Sequence, residues 1–301
     1  MMNGKGGIRV GRRLLCVILC LLLCPFTAGA EEPESFFEHA EADKVGKITR
    51  TYDSPTLKYT IEKFLMENEI CYLTRLWVQD PARQIQKAAS EWKKNVQIPE
   101  KLVKQIPEAA LAVNGSGFVS PLYPEIPDNY PGESRDYYYT PLGSVTVTDG
   151  EVLRDLEGVP YYGLTLDADG LQMYTGEDNG AVLATEPIQT WSFYTGCPMM
   201  RDNEDILPEE WDFADAKAAR TIIGRIDRNN YLILTATRER GKGITLRRAV
   251  VFFRENYSTE WVYDLDGGMS TALMSRKKEK KNMHLLVERG AKIVDIMAFT
   301  E

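Results

Sequence analysis

Two histidines in 301 residues, His39 and His284, are too few for a histidine-based zinc centre, and neither has a partner at metal-ligand spacing. Cysteine is as scarce. Cys16, Cys20 and Cys24 fall in the N-terminal apolar segment, leaving Cys71 and Cys197 far apart in the rest of the chain. No C-x-x-C pair occurs, so ribbon-type metal sites and dithiol redox motifs are excluded; Cys71 and Cys197 are either one disulfide or two buried thiols. Positive charge is also short, with 36 Lys and Arg against 44 Asp and Glu. Such a surface disfavours nucleic acid and anionic membranes as partners.

The cations present are unevenly placed. Lys5, Arg9, Arg12 and Arg13 precede the apolar run Leu14–Phe26 and the small-residue site Ala28-Gly-Ala30. That run is too short to span a membrane comfortably, and the order is that of a signal peptide over residues 1–30, with an uncleaved anchor as the alternative. Leu23 is too large for lipoprotein processing at Cys24. Removing the four cations and no acids takes the formal charge from −8 to −12. The expected protein is therefore secreted or held in the cell envelope, without stable membrane insertion after cleavage. Residues 31–50 are acidic and polar and read as a tail or linker. Residues 51–301 are long enough to bury one substantial core.

Strand signals dominate that domain. Residues 57–64, 70–78 and 109–113 are apolar or alternating, and Asp149-Gly150, Asp167-Ala-Asp-Gly170 and Asp227-Arg-Asn-Asn230 are hairpin turns. The second turn is no calcium loop, because Gln172 stands where glycine is needed. Asp80-Pro81 predicts a helix with Ile85, Ala88, Ala89 and Trp92 on one face; Pro99 opens a second, and Thr245 caps a third carrying Leu246, Ala249, Val250 and Phe253. Residues 292–299 are read as the strand that closes the sheet. The proline- and tyrosine-rich stretch 119–141 is a long ordered loop, whose tyrosines either stack on sugar rings or pack the loop down. The acidic loop 202–215 is solvated or holds a cation. The fold class is α+β: mixed, mostly antiparallel sheets with a few packed helices in a single large domain.

The chemistry-bearing stretch is Trp261-Val-Tyr-Asp-Leu-Asp-Gly-Gly-Met-Ser-Thr-Ala-Leu273. Residues two apart in a strand share a face, so Asp264 and Asp266 are expected to project together. Gly267 and Gly268 permit positive φ and close approach to the main chain, and Ser270 and Thr271 add hydroxyls. The stretch is either a site for a phosphorylated or hydroxylated ligand or an Asp-Gly hairpin turn. Gly268-Met-Ser-Thr-Ala272 faintly echoes a serine-hydrolase elbow, but His284 lies only a short way downstream with no acid of the expected kind between, and His39 is in the tail.

Four blocks in order, Asn114-Gly-x-Gly-Phe118, Arg220-Thr-x-x-Gly224, Gly243-Ile-Thr-Leu246 and Leu265-Asp-Gly-Gly-x-Ser270, resemble the phosphodiester glycosidase family over roughly residues 52–299. Two positions depart from the family pattern. Met269 stands where a third glycine is usual, and Gly-Ser-Gly follows Asn114 where Gly-Gly-Phe is more frequent. The resemblance implies a glycoside hydrolase cleaving a sugar-1-phosphodiester, with relatives tied to exopolysaccharide. The implied substrate is a phosphorylated glycan. On that reading Asp266 is the catalytic carboxylate and Arg220 holds the phosphate, helped by N–H groups around Gly267 and Gly268. Asn114, Gly115, Thr245, Ser270 and Thr271 orient substrate, and Asp264 or Asp227 is the second acid if one is used. A phosphate diester leaves as a stable anion, so one carboxylate can suffice. No cofactor is called for, leaving a divalent cation open. A P–O-cleaving phosphodiesterase is disfavoured because such enzymes commonly rely on metal clusters. The alternative from another class is a non-catalytic envelope module that binds phosphorylated polysaccharide.

Overall fold

The computed structural model describes residues 46–301 apart from 123, 127–129, 194–196, 278–281 and 289. The expected leader and most of the acidic tail lie outside the described residues.

Alternating apolar residues split the structure into packed layers. The larger sheet contains, in spatial order, β1 (Lys47–Asp53), β2 (Leu57–Met66), β3 (Glu69–Val78), β14 (Asn230–Ala236), β13 (Arg220–Arg225), β15 (Trp261–Asp264), β11 (Pro198–Arg201) and β12 (Glu204–Asp205). The second sheet runs β17 (Met283–Glu288), β16 (Ala272–Arg276), β5 (Ala109–Asn114), β18 (Asp295–Thr300) and β4 (Ile85–Ala89). Among the described residues every pair of named strands is antiparallel, as in β13–β15, where Ile222 faces Asp264. β1 begins at Lys47, inside the stretch expected to be a tail.

The inner face of the large sheet supplies Tyr59, Ile61, Ile223 and Ile233, which meet Leu111, Val113, Met297 and Phe299 of the smaller sheet. Its outer face supplies Leu73, Ile222, Leu232 and Leu234, which lie under Leu246, Ala249, Val250 and Phe253 of the longest helix among the described residues, Leu246–Asn256. Thr245 caps that helix by accepting from the Arg248 N–H at 3.1 Å. The far side of the smaller sheet is covered by Leu102 of the short helix Pro99–Leu102 and by Val103 and Ile106 just beyond it. A three-stranded sheet, β10 (Gln189–Ser192), β8 (Tyr161–Asp167) and β9 (Gly170–Glu177), adds Leu164, Leu166 and Trp191 to the main core. The hairpin β6 (Val145–Thr148) and β7 (Glu151–Asp155) packs beside it. The fold is α+β and mainly β, as the turn signals suggested.

Two expectations need correction. The helix from Pro81 lasts only to Gln84, and Ile85–Ala89 is an edge strand on β18. Its apolar spacing suits a helix, but the strand buries Lys87 against Asp295 at 3.4 Å, and that tertiary pairing overrides local pattern. Residues 295–300 do not close the sheet either; they lie inside it, between β5 and β4. Cys71 and Cys197 are separate buried thiols.

Candidate active site

The stretch after β15 is no hairpin turn, because β15 and β16 belong to different sheets. The chain crosses between the sheets here, and Asp266 sits in the crossing. Backbone bonds fix it: Leu265 N–H donates to Thr221 O at 2.9 Å, Asp266 N–H to Gly115 O at 3.0 Å and Gly268 N–H to Ala219 O at 2.8 Å. Asn114, fully buried, ties the same layers together. Its Nδ2 donates to the Asp266 carbonyl at 2.5 Å, while its Oδ1 accepts from Thr221 Oγ1 at 2.6 Å and Ala272 N–H at 3.0 Å. Gly268 has φ +60 with open space beside it, so the turn itself demands glycine there. Gly115 is required for a different reason, since a side chain there would overlap the Asp295 carboxylate.

Asp266 is 9% exposed and forms the floor of a cleft of about 660 Å³. Gly268, Met269 and Ser270 come from the same turn; Phe118 and Phe193 provide apolar walls, and Arg238 and Lys292 provide cations. Burial pushes the Asp266 carboxyl up to about 7, against the opposing hydrogen bonds from Ser270 and the Gly267 N–H at 2.8 Å. Asp295 raises it further. That residue is fully buried, paired with Lys87, and accepts from Ser116 N–H at 2.6 Å.

Several expected ligand contacts are engaged elsewhere. Arg220 is 1% exposed and does not line the cleft. It pairs with Asp264 at 3.2 Å, donates to Phe213 O and Ala216 O at 2.9 Å each, and lies over the Phe213 ring. Its role as phosphate clamp is therefore replaced by one as internal counter-ion. Burial pushes Asp264 up as well, with the Arg220 guanidinium opposing. The N–H groups of Gly267 and Gly268 are taken by Asp266 Oδ1 and Ala219 O, so they do not form an anion nest. Gly115 and Thr271 are buried beneath the cleft, and Thr245 is a helix cap. Asp227 closes the β13–β14 turn, accepting from Asn229 and Asn230 N–H groups at the strand ends away from Asp264. Of the expected residues, Asp266, Gly268 and Ser270 reach the cleft. Tyr137 packs edge-on to Tyr130, while Tyr139 reaches the cleft wall.

Arg238 and Lys292 were not singled out by sequence, and neither has an ion pair among the described residues. Arg238 lies on the segment 237–243, which Glu69 anchors from the neighbouring strand. The Glu69 carboxylate accepts from Thr237 Oγ1 and Arg240 N–H at 3.0 Å and Gly243 N–H at 3.3 Å. Burial pushes that carboxyl up, yet these hydrogen bonds outweigh it and hold it below the ordinary range. An acid within a strand, followed in space by a glycine-flanked loop, is the only local hint.

An apolar-walled cleft with a buried carboxylate at its floor and cations at its edge is a small-molecule or glycan site rather than a flat binding face. The chain belongs to the phosphodiester glycosidase family, whose profile matches residues 107–294, more than half of its length. The catalytic domain of zebrafish N-acetylglucosamine-1-phosphodiester alpha-N-acetylglucosaminidase, described as auto-inhibited by its pro-peptide, is similar in structure at 15% identity and a TM-score of 0.61. The similarity covers 85% of this chain and 87% of that one. A hypothetical protein from Synechocystis is similar at 11% identity and a TM-score of 0.51, over 86% of this chain and 64% of that one. At such identities these structures establish the shared fold. No curated protein sequence matches.

Proposed function

We propose that this chain hydrolyses a sugar-1-phosphodiester at the anomeric C–O bond, releasing the sugar and a phosphomonoester. The observation that carries the proposal is Asp266: a buried carboxyl, raised to about 7, opening on a cleft edged by two cations. Ionised, it takes a proton from water or stabilises oxocarbenium character as the bond breaks. The phosphate leaves with its charge held by Arg238 and Lys292, so no second acid has to protonate it. That fits the commitment of Asp264 to Arg220. Ser270 orients Asp266, and Phe118 and Phe193 cover the sugar's apolar faces. In keeping with the leader expected over residues 1–30, the substrate is an extracellular or envelope glycan.

Met269 favours a second reading. Its side chain is 53% exposed on the cleft, where the family usually has glycine, and a narrowed site suits a module that binds phosphorylated polysaccharide without cutting it. The Asp266→Asn variant separates the two. Release of reducing sugar from an N-acetylglucosamine-1-phosphodiester by the native chain, lost in the variant while binding persists, supports the hydrolase. Binding with no release by either protein supports the module.

A further inference from the structure

A second cavity of about 260 Å³ lies beside the Asp266 cleft, and Tyr139 lines both. We propose that it is a saccharide subsite, taking one ring of a glycan whose phosphodiester-linked residue occupies the main cleft. The proposal extends the sugar-1-phosphodiester reading from a small substrate to a chain.

The volume falls just below the range of about 300–1,000 Å³ typical of drug-sized ligands and suits a single ring. Half-buried Trp92 supplies an aromatic platform, and Arg154 is placed over its ring at 5.1 Å. Arg154 is itself buried and held by the carbonyls of Pro141 and Gly143, at 2.5 and 3.3 Å, so the platform rests on a fixed support. Indole faces suit the C–H faces of sugar rings. Polar groups line the same cavity. Thr146 Oγ1 is buried without a hydrogen-bond partner among the described residues, and a sheltered hydroxyl left unpaired calls for one. Thr148 and the exposed Asp149 add to that lining, with Asp149 oriented by Gln189 Nε2 at 2.6 Å. Between the cavities, Tyr139 is held at φ +60, a conformation a bulky residue adopts only where its surroundings impose it, and one that clusters at ligand sites. A neutral ring that packs on Trp92 and hydrogen-bonds to the hydroxyl and carboxylate groups fits this lining.

The test uses probes that carry no phosphate, so it is independent of hydrolysis. Short chitin-, cellulose- and maltose-derived oligosaccharides are titrated into the full chain and followed by tryptophan fluorescence and ligand-observed NMR. One series should bind saturably. Trp92→Ala should weaken it about tenfold, as expected for one lost aromatic contact, and Trp92→Phe should recover most of the loss. Thr146→Val, nearly isosteric, should weaken binding severalfold without altering the melting temperature. Absence of binding by every series, or binding indifferent to both Trp92→Ala and Thr146→Val, overturns the subsite while leaving the Asp266 reaction untouched. Loss of hydrolysis with saccharide binding intact would overturn that reaction and leave the subsite standing.

Discussion

Replacing Asp266 with asparagine should abolish turnover and stabilise the fold together, and pH separates this outcome from a merely structural effect. The folded carboxyl titrates at about 7 against an ordinary 3.8. Folding therefore takes up a proton between those values, so this group favours the folded state at low pH and that advantage is lost as pH climbs from about 4 through 7. Above 7 the protein holds a buried anion. The gap corresponds to roughly 4 kcal/mol at pH 8. The substituted site relaxes in part, so a gain of about 2–4 kcal/mol is expected for the neutral variant. Asparagine keeps an oxygen for the Gly267 N–H. Urea unfolding of both proteins at pH 8 and pH 4 measures the effect: the variant should lead by that amount at pH 8 and by less than about 1 kcal/mol at pH 4. A variant less stable at pH 8, or a difference independent of pH, would refute the claim that burial raises this carboxyl.

Further expectations follow from the same contacts. If ionised Asp266 drives the reaction, kcat/KM should fall about tenfold per unit as pH drops below 7; a profile flat to pH 5 contradicts that role. Arg238→Ala should lower kcat/KM by about 10–100-fold with a weaker salt dependence, consistent with losing a charge-assisted contact to phosphate. Thermal and urea unfolding of that variant should stay near native, since Arg238 is exposed. Arg220→Met should instead destabilise by about 3–5 kcal/mol, because Asp264 would be left buried without its counter-ion; near-native unfolding would show that the pair is dispensable. Gly115→Ala should lower stability by about 1–3 kcal/mol through overlap with Asp295, measured by the same unfolding.

The parts of the site carried by short-range chemistry were legible in the sequence. Asp266, Gly268 and Ser270 belong to one turn, and the glycine pattern after Asn114 marks a backbone too close to other groups for side chains, as Gly115 against Asp295 and Gly117 against Phe193 show. The hairpins at 149–150, 167–170 and 227–230 were equally local. What sequence could not reveal is which charges end up buried together. Arg220 resembles an anion clamp until Asp264, Phe213 and Ala216 are seen around it. Arg238 and Lys292 lie more than fifty residues apart in sequence and line one cleft only in the folded chain. Ile85, Ala88 and Ala89 share the spacing of a helix face, whereas the pairing of Lys87 with Asp295 goes with that segment being a strand on β18.

Which bond breaks, C–O or P–O, separates a phosphodiester glycosidase from a phosphodiesterase. Residues 31–301 should be incubated with an N-acetylglucosamine-1-phosphodiester in ¹⁸O-labelled water and the products weighed by mass spectrometry. Label in the free sugar, with none in the phosphomonoester, is the predicted result and means C–O cleavage. Label in the phosphomonoester would mean attack at phosphorus and would contradict the assignment of Asp266 to the anomeric carbon.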